Sequence, residues 1–184
     1  MYGLNRDNST KRVLQSAGKE CAYLAVFVAL VLVAQICLAA VAGVEVVTVL
    51  FIAFSFAFGA KRGMLAAMVF SLLRQFVFGF FPNVLILYLV YYNLLTFLFG
   101  CLGKRMKNPV SGVWLIVLVA CFCTVCFTML DVFITPLWYH YTAKLTKAYF
   151  YKSLSVLIPH TLCTAVTVTT LFLPLYKVFA LVRR

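Results

Sequence analysis

Residues 21–42 read CAYLAVFVALVLVAQICLAAVA, a run of 22 residues in which Gln35 is the only strongly polar side chain. A helix that crosses a bilayer needs about 20 mostly apolar residues, and the apolar core of a signal peptide is shorter. The stretch therefore reads as a transmembrane helix. It follows a polar, basic segment, residues 1–19, that carries Arg6, Lys11, Arg12 and Lys19.

The same texture continues outward from this run. Further apolar stretches occupy 46–60, 62–81, 84–103, 112–135 and 153–177. The second would reach only about 22 Å at 1.5 Å per residue, so it must be short, tilted or re-entrant. Gly59-Ala-Lys61-Arg62-Gly63 makes a tight charged turn into the third stretch. Pro82-Asn83 separates the third from the fourth, and Lys104-Arg105-Met-Lys107-Asn-Pro109 the fourth from the fifth. The expectation is an all-α membrane protein with six transmembrane helices. A cytoplasmic N-terminal segment, 1–19, precedes a single domain over 20–182; five spans are the alternative if the second run does not cross.

Composition agrees with this reading. The 184 residues are 65% hydrophobic and 11% charged, whereas soluble domains are about half apolar and a quarter charged. That excludes a soluble enzyme, a disordered tail and a nucleic-acid-binding domain, although the net charge is +12. With the N-terminus in the cytoplasm, the alternate connections and both ends gather twelve of the 16 basic residues. The opposite side keeps Lys144, Lys147 and Lys152, and Arg74 falls inside the membrane. The positive-inside rule then places both termini in the cytoplasm, and the net charge needs no acidic partner.

The seven cysteines sit within or at the ends of apolar runs, where cysteine behaves as a small hydrophobe. Cys121 and Cys123 would point about 200° apart on a helix, too far to share one ion. No metal or cofactor is expected.

Ionisable groups inside a bilayer cost several kcal/mol each, about 2.5–3.5 on insertion scales, and mark functional sites by default. Arg74 on the third helix, Asp131 on the fifth and His160 on the sixth fall at similar depth, roughly 7–12 Å below the outer surface. Thr124, Thr128, Asp131 and Thr135 share a face of the fifth helix, as do Ser153, His160, Thr164 and Thr167 on the sixth, each within about 60°. One reading is helix-packing glue with a self-neutralising Arg74–Asp131 pair. The other is a solute pocket opening outward on Arg74, Asp131 and His160. Tyr88, Tyr92 and Trp138 would supply aromatic walls, and Gln35 and Glu45, flanking the loop after the first helix, would line or cover the mouth. Asn93 reads as a packing residue. On the first helix Gly18, Ala22, Ala25 and Ala29 form a small-residue strip that lets another helix approach closely.

No catalytic constellation is present: the chain has no Gly-x-Ser-x-Gly, no His-Glu-x-x-His and no phosphate-cradling glycine loop. Neither a nucleotide-binding module nor related halves are evident. The expectation is a non-enzymatic protein.

The order of features nonetheless resembles a known family. An alanine-strip first helix leads to Gly43-Val-Glu45, then to a short apolar segment ending Phe56-Ala-Phe58-Gly59-Ala-Lys-Arg-Gly63-Met-Leu-Ala66-Ala67. A fourth helix closes with Gly100-Cys-Leu-Gly103-Lys, the fifth ends in Asp131, and the last runs through Pro159-His160 to Leu173-Pro174-Leu175. Over about residues 20–182 this is similar to the substrate-binding S-component of energy-coupling factor (ECF) vitamin transporters. The resemblance implies capture of a small water-soluble vitamin at the outer face of a prokaryotic cell membrane. It also implies a membrane coupling subunit and two cytoplasmic ATPases as partners, besides membrane lipid. The first-helix alanines become the docking face: Ala25 and Ala29, with Ala22 added from helical phase. Arg74 would suit a carboxylate or phosphate and the aromatics a flat ring, but no single vitamin signature is matched. The alternative function is a membrane scaffold whose intramembrane polar residues only support packing.

Overall fold

The computed structural model describes residues 3–38, 46–106 and 109–183, with side chains over 18–38, 46–106 and 109–182. Among the described residues there are six helices and no strand. They are α1 (Gly3–Leu38), α2 (Val47–Phe58), α3 (Ala60–Phe78), α4 (Pro82–Arg105), α5 (Val113–Trp138) and α6 (Ala143–Arg183). Four segments are long and apolar enough to cross a membrane: Gly18–Leu38, Pro82–Arg105, Val113–Trp138 and Ala143–Val182. The chain is a multi-pass, all-α membrane protein.

Two helices outrun the boundaries expected from hydropathy. The basic segment expected to precede the first span is helical from Gly3. The stretch around Lys144, Lys147 and Lys152, expected as an outer connection, is the start of the 41-residue α6. Ala143-Lys-Leu-Thr-Lys-Ala-Tyr-Phe holds no glycine or proline to stop a helix, and hydropathy registers only the apolar part of an amphipathic one.

The helix that organises the rest is the shortest. α2 has 12 residues, of which all but Phe58 are buried. A helix apolar on every side belongs at the centre of a bundle, and α2 packs on α6, α4, α3 and α1. Its polar Ser55 is satisfied locally, donating to the carbonyls of Phe51 at 2.7 Å and Ile52 at 3.2 Å. The remaining helices pack side by side in the order α1, α3, α4, α5, α6 around it.

Gly59 separates α2 from α3 with φ 90° and ψ 166°, a conformation open to glycine and costly for other residues. The two helices form a tight hairpin whose turn end is pressed against the last turns of α4. There Gly100 lies so close that a Cβ would sit 2.3 Å from the Ala60 nitrogen, and one on Gly103 would sit 2.5 Å from the Phe56 carbonyl oxygen. Aromatic rings fill the layer above: Phe27 stacks on Phe54 at 3.9 Å, and Phe51 meets Tyr92 at 4.8 Å and Phe70 at 5.2 Å. From this layer α2 rises only one more turn to Val47. It spans about 18 Å in all, against about 30 Å of hydrocarbon. At the end of the bundle where α3 turns into α4, the axis is therefore left to side chains from the surrounding helices.

Candidate functional site

Those side chains centre on Arg74 and Tyr88. The Arg74 guanidinium lies over the Tyr88 ring at 4.3 Å and the Phe78 ring at 5.0 Å. Phe78 is one turn further along the same helix, while Tyr88 faces it from α4. The Nε of Arg74 is buried and has no hydrogen-bond partner. Gln35, near the end of α1, reaches the same tyrosine: its Nε2 donates a long bond of 3.5 Å to the Tyr88 hydroxyl, and its Oε1 is buried without a partner. Tyr92 lies one turn below Tyr88, with ring centroids 5.2 Å apart, and is fully buried between Phe51, Phe70 and Tyr91. The aromatic wall continues across to α6, because Phe127 touches both Tyr88 at 5.9 Å and the His160 ring at 6.2 Å. Thus Arg74, Tyr88, Tyr92 and Gln35 form one cluster, and His160 borders it through Phe127.

Asp131 stands apart. Its two carboxylate oxygens accept from the hydroxyls of Thr135, at 2.7 Å, and Tyr149, at 2.5 Å. The network extends through Asn83, whose Nδ2 donates to Thr135 Oγ1 at 3.3 Å and whose Oδ1 accepts from the Tyr139 hydroxyl at 3.2 Å. Among the described residues Arg74 and Asp131 form no ion pair; the ion pair present is Arg62–Glu20, which joins α3 to α1. The self-neutralising Arg74–Asp131 pair of the packing reading does not form among the described residues. The two residues do not share a neighbourhood, because α4 lies between α3 and α5 and those two helices make no close approach.

The remaining expected residues separate further. Trp138 is half exposed and lines a shallow, apolar groove of about 490 Å³ with Ile86, Ile134, Leu137 and His140. That location suits an interfacial aromatic rather than a wall of the Arg74 cluster. Glu45 lies outside the described residues. Ala22, Ala25 and Ala29 are exposed, while the core face of α1 is Phe27, Val28 and Val31. The alanine strip is thus open surface and takes no part in packing inside the bundle. On α5 and α6, Thr124 and Thr164 are buried and bonded to each other at 3.1 Å, which is the packing role considered for the threonine stripes. Asn93 bonds its own helix, donating to the Leu89 carbonyl at 2.7 Å.

Of the other contributors, Tyr149 lies in a stretch that hydropathy treats as a loop and is not singled out from the sequence, while Tyr139 reads only as an interfacial aromatic and Asn83 only as part of the break after Pro82. Their recruitment to Asp131 depends on how α4, α5 and α6 pack.

What the cluster can do follows from its chemistry. A guanidinium over two rings, in a site of low polarity, is held in place without being neutralised, since a ring face offers only a quadrupole. The arrangement favours an anion and a flat group, and it holds no nucleophile with a paired base. Comparison with protein-family models, with curated proteins and with solved structures finds no match to this chain.

Proposed function

We propose that this protein is the membrane-embedded solute-binding subunit of an uptake system of the ECF type. It captures a small water-soluble vitamin or related micronutrient at the end of the bundle where α3 meets α4, and leaves ATP hydrolysis to partner chains. The observation that carries the reading is Arg74. A permanently charged side chain deep in an apolar chain is expensive, and here it is presented to rings, with its Nε bare, beside a glutamine whose Oε1 is also bare. A charge kept only for packing would be expected to find a carboxylate; Asp131, the candidate within the membrane, instead accepts hydrogen bonds from Thr135 and Tyr149.

Both termini are placed in the cytoplasm by the distribution of basic residues, which puts the Arg74 cluster toward the outer face. The exposed Ala22, Ala25 and Ala29 supply a surface on which a coupling subunit's helix can lie closely. The Thr124–Thr164 bond and the closed Asp131 network favour the scaffold alternative for their own part of the molecule; they say nothing for Arg74. The test is native mass spectrometry of the detergent-purified protein against a panel of water-soluble vitamins. A retained small molecule that is lost on Arg74→Ala is the expected result. If no vitamin in the panel is retained, the scaffold reading replaces this one.

A further inference from the structure

α2 begins inside the bundle, with Val47 and Thr48 of its first turn buried. The first amide groups of a helix have no intrahelical acceptors, and among the described residues no side-chain hydrogen bond caps this end. The N-cap residue is Val46, which offers no side-chain acceptor. One residue into the helix stands Thr48, 2% exposed, with its hydroxyl oxygen buried and without a hydrogen-bond partner. Buried hydroxyls are nearly always bonded, and the other buried hydroxyl of this helix, Ser55, bonds twice to its own backbone.

Register shows where Thr48 looks. Seven residues separate it from Ser55, so the two share a helix face to within about 20°. A Cβ on Gly63 would touch the Ser55 Cβ at 2.8 Å and the Thr96 Cβ at 3.0 Å, which fixes that face as the one toward α3 and α4. One turn higher, Phe51 meets Phe70 of α3 and Tyr92 of α4. Seven residues above the Ser55 contact, Thr48 comes level with Phe70 on α3 and Leu89 on α4, one turn below the backbone of Arg74, whose guanidinium lies over Tyr88. Helical side chains lean toward the N-terminus of their helix, so the Thr48 side chain leans toward the buried first turn.

The geometry points to an anion subsite at the N-terminus of α2. The free amides of its first turn and the Thr48 hydroxyl donate from one side, and Arg74 supplies the charge from the other. Two positive features, a helix N-terminus and a guanidinium, stand toward the same end of the bundle, and a carboxylate or phosphate would satisfy both at once. The bare Oε1 of Gln35 accepts a hydrogen bond from the same solute. The ligand class is therefore a small solute bearing a carboxylate or phosphate together with a hydrogen-bond donor. This rests on the solute-binding reading above and names the chemistry it selects.

The experiment measures binding of three probes to the purified full-length chain in detergent by calorimetry: inorganic phosphate, glycolate and, as the neutral control, glycerol. Wild-type protein, Thr48→Val and Arg74→Gln are compared, and thermal unfolding is followed with and without each probe. Saturable binding of phosphate or glycolate is expected, weakened about tenfold or more by either substitution, with glycerol inert. Whichever anion binds identifies the headgroup. Thr48→Val without ligand should unfold at or above the wild-type temperature, since the hydroxyl removed has no partner to lose. Failure of both anions to bind, or binding unchanged by Thr48→Val, overturns the subsite. A vitamin that needs Arg74 but ignores Thr48→Val refutes the subsite and leaves the transport reading standing. Anion binding that depends on Thr48 in a chain that retains no vitamin does the reverse.

Discussion

The separation of Arg74 from Asp131 can be measured by a double-mutant cycle with Arg74→Gln, Asp131→Asn and both together. Arg74 faces two rings at 4.3 and 5.0 Å. Cation–π contacts contribute about 0.5–1 kcal/mol when exposed and about 2 when desolvated. Losing them is partly offset by removing a buried charge, so Arg74→Gln should change stability by no more than about 2 kcal/mol. Asp131 accepts from Thr135 and Tyr149, and hydrogen bonds to a charged group contribute about 1.5–3 kcal/mol each. An asparagine keeps one acceptor, and the Tyr149 hydroxyl can turn to accept from the new amide. A loss of about 1–3 kcal/mol is expected for Asp131→Asn. Residues without shared partners add to within about 0.5 kcal/mol, whereas breaking a buried ion pair costs about 3–5 kcal/mol and leaves a large interaction term. Reversible unfolding in mixed micelles, titrated with a denaturing detergent, gives the four free energies. The expected interaction term is below about 0.5 kcal/mol. A coupling above about 1.5 kcal/mol would mean that the two charges pair in the membrane, and the reasoning that frees Arg74 for a solute would fail.

Two further outcomes test the surface and the core. Ala25→Trp and Ala29→Trp, on the exposed face of α1, should abolish uptake in cells that hold the coupling subunits while leaving solute binding intact; normal uptake by both variants would remove the docking role. Gly100→Ala would push a methyl group into the Ala60 backbone, 2.3 Å from its nitrogen. Overpacking costs about 1–3 kcal/mol, and with backbone as the obstacle the upper end of that range is expected in the same unfolding assay. A loss under about 0.5 kcal/mol would show that α4 does not pack on the α2–α3 turn.

The elements that carried over from sequence to structure were those written in one dimension. Apolar runs marked every helix, and Gly59 and Pro82 marked two of the breaks between them. Depth could also be counted, because each residue adds a fixed rise along a helix, and this set Arg74, Asp131 and His160 at one level. Azimuth could not be counted across helices. Whether Arg74 meets Asp131 depends on whether α3 lies beside α5, and α4 lies between them. Tyr88 and Gln35 were legible as polar members of apolar helices on the same side, and they do meet. Thr48 was not legible. A threonine in Val-Thr-Val-Leu-Phe-Ile looks like one more β-branched residue in an apolar run, and it acquires meaning only because α2 is central and stops halfway. The helical start of α6 was missed because its lysines hid the apolar face behind a low average hydropathy.

The two membrane charges are handled in opposite ways, and the contrast bears on selectivity. Asp131 is closed: hydroxyls from its own helix and from α6 fill its oxygens, and Asn83 and Tyr139 extend the network to the ends of α4 and α5. Such a site is self-sufficient, and it ties Tyr149 near the start of α6 to α5 and, through Asn83, to α4. Arg74 is open: the rings hold the guanidinium without cancelling its charge. In the solute site proposed above, a guanidinium with no anion beside it among the described residues would discriminate against cations, because a cation would have to be desolvated against like charge. It discriminates less among anions, which differ mainly in shape. Selection among related acids would then fall to Gln35 and to the aromatic wall of Tyr88, Tyr92 and Phe127, where a ring is admitted by its faces and a donor by one bare oxygen.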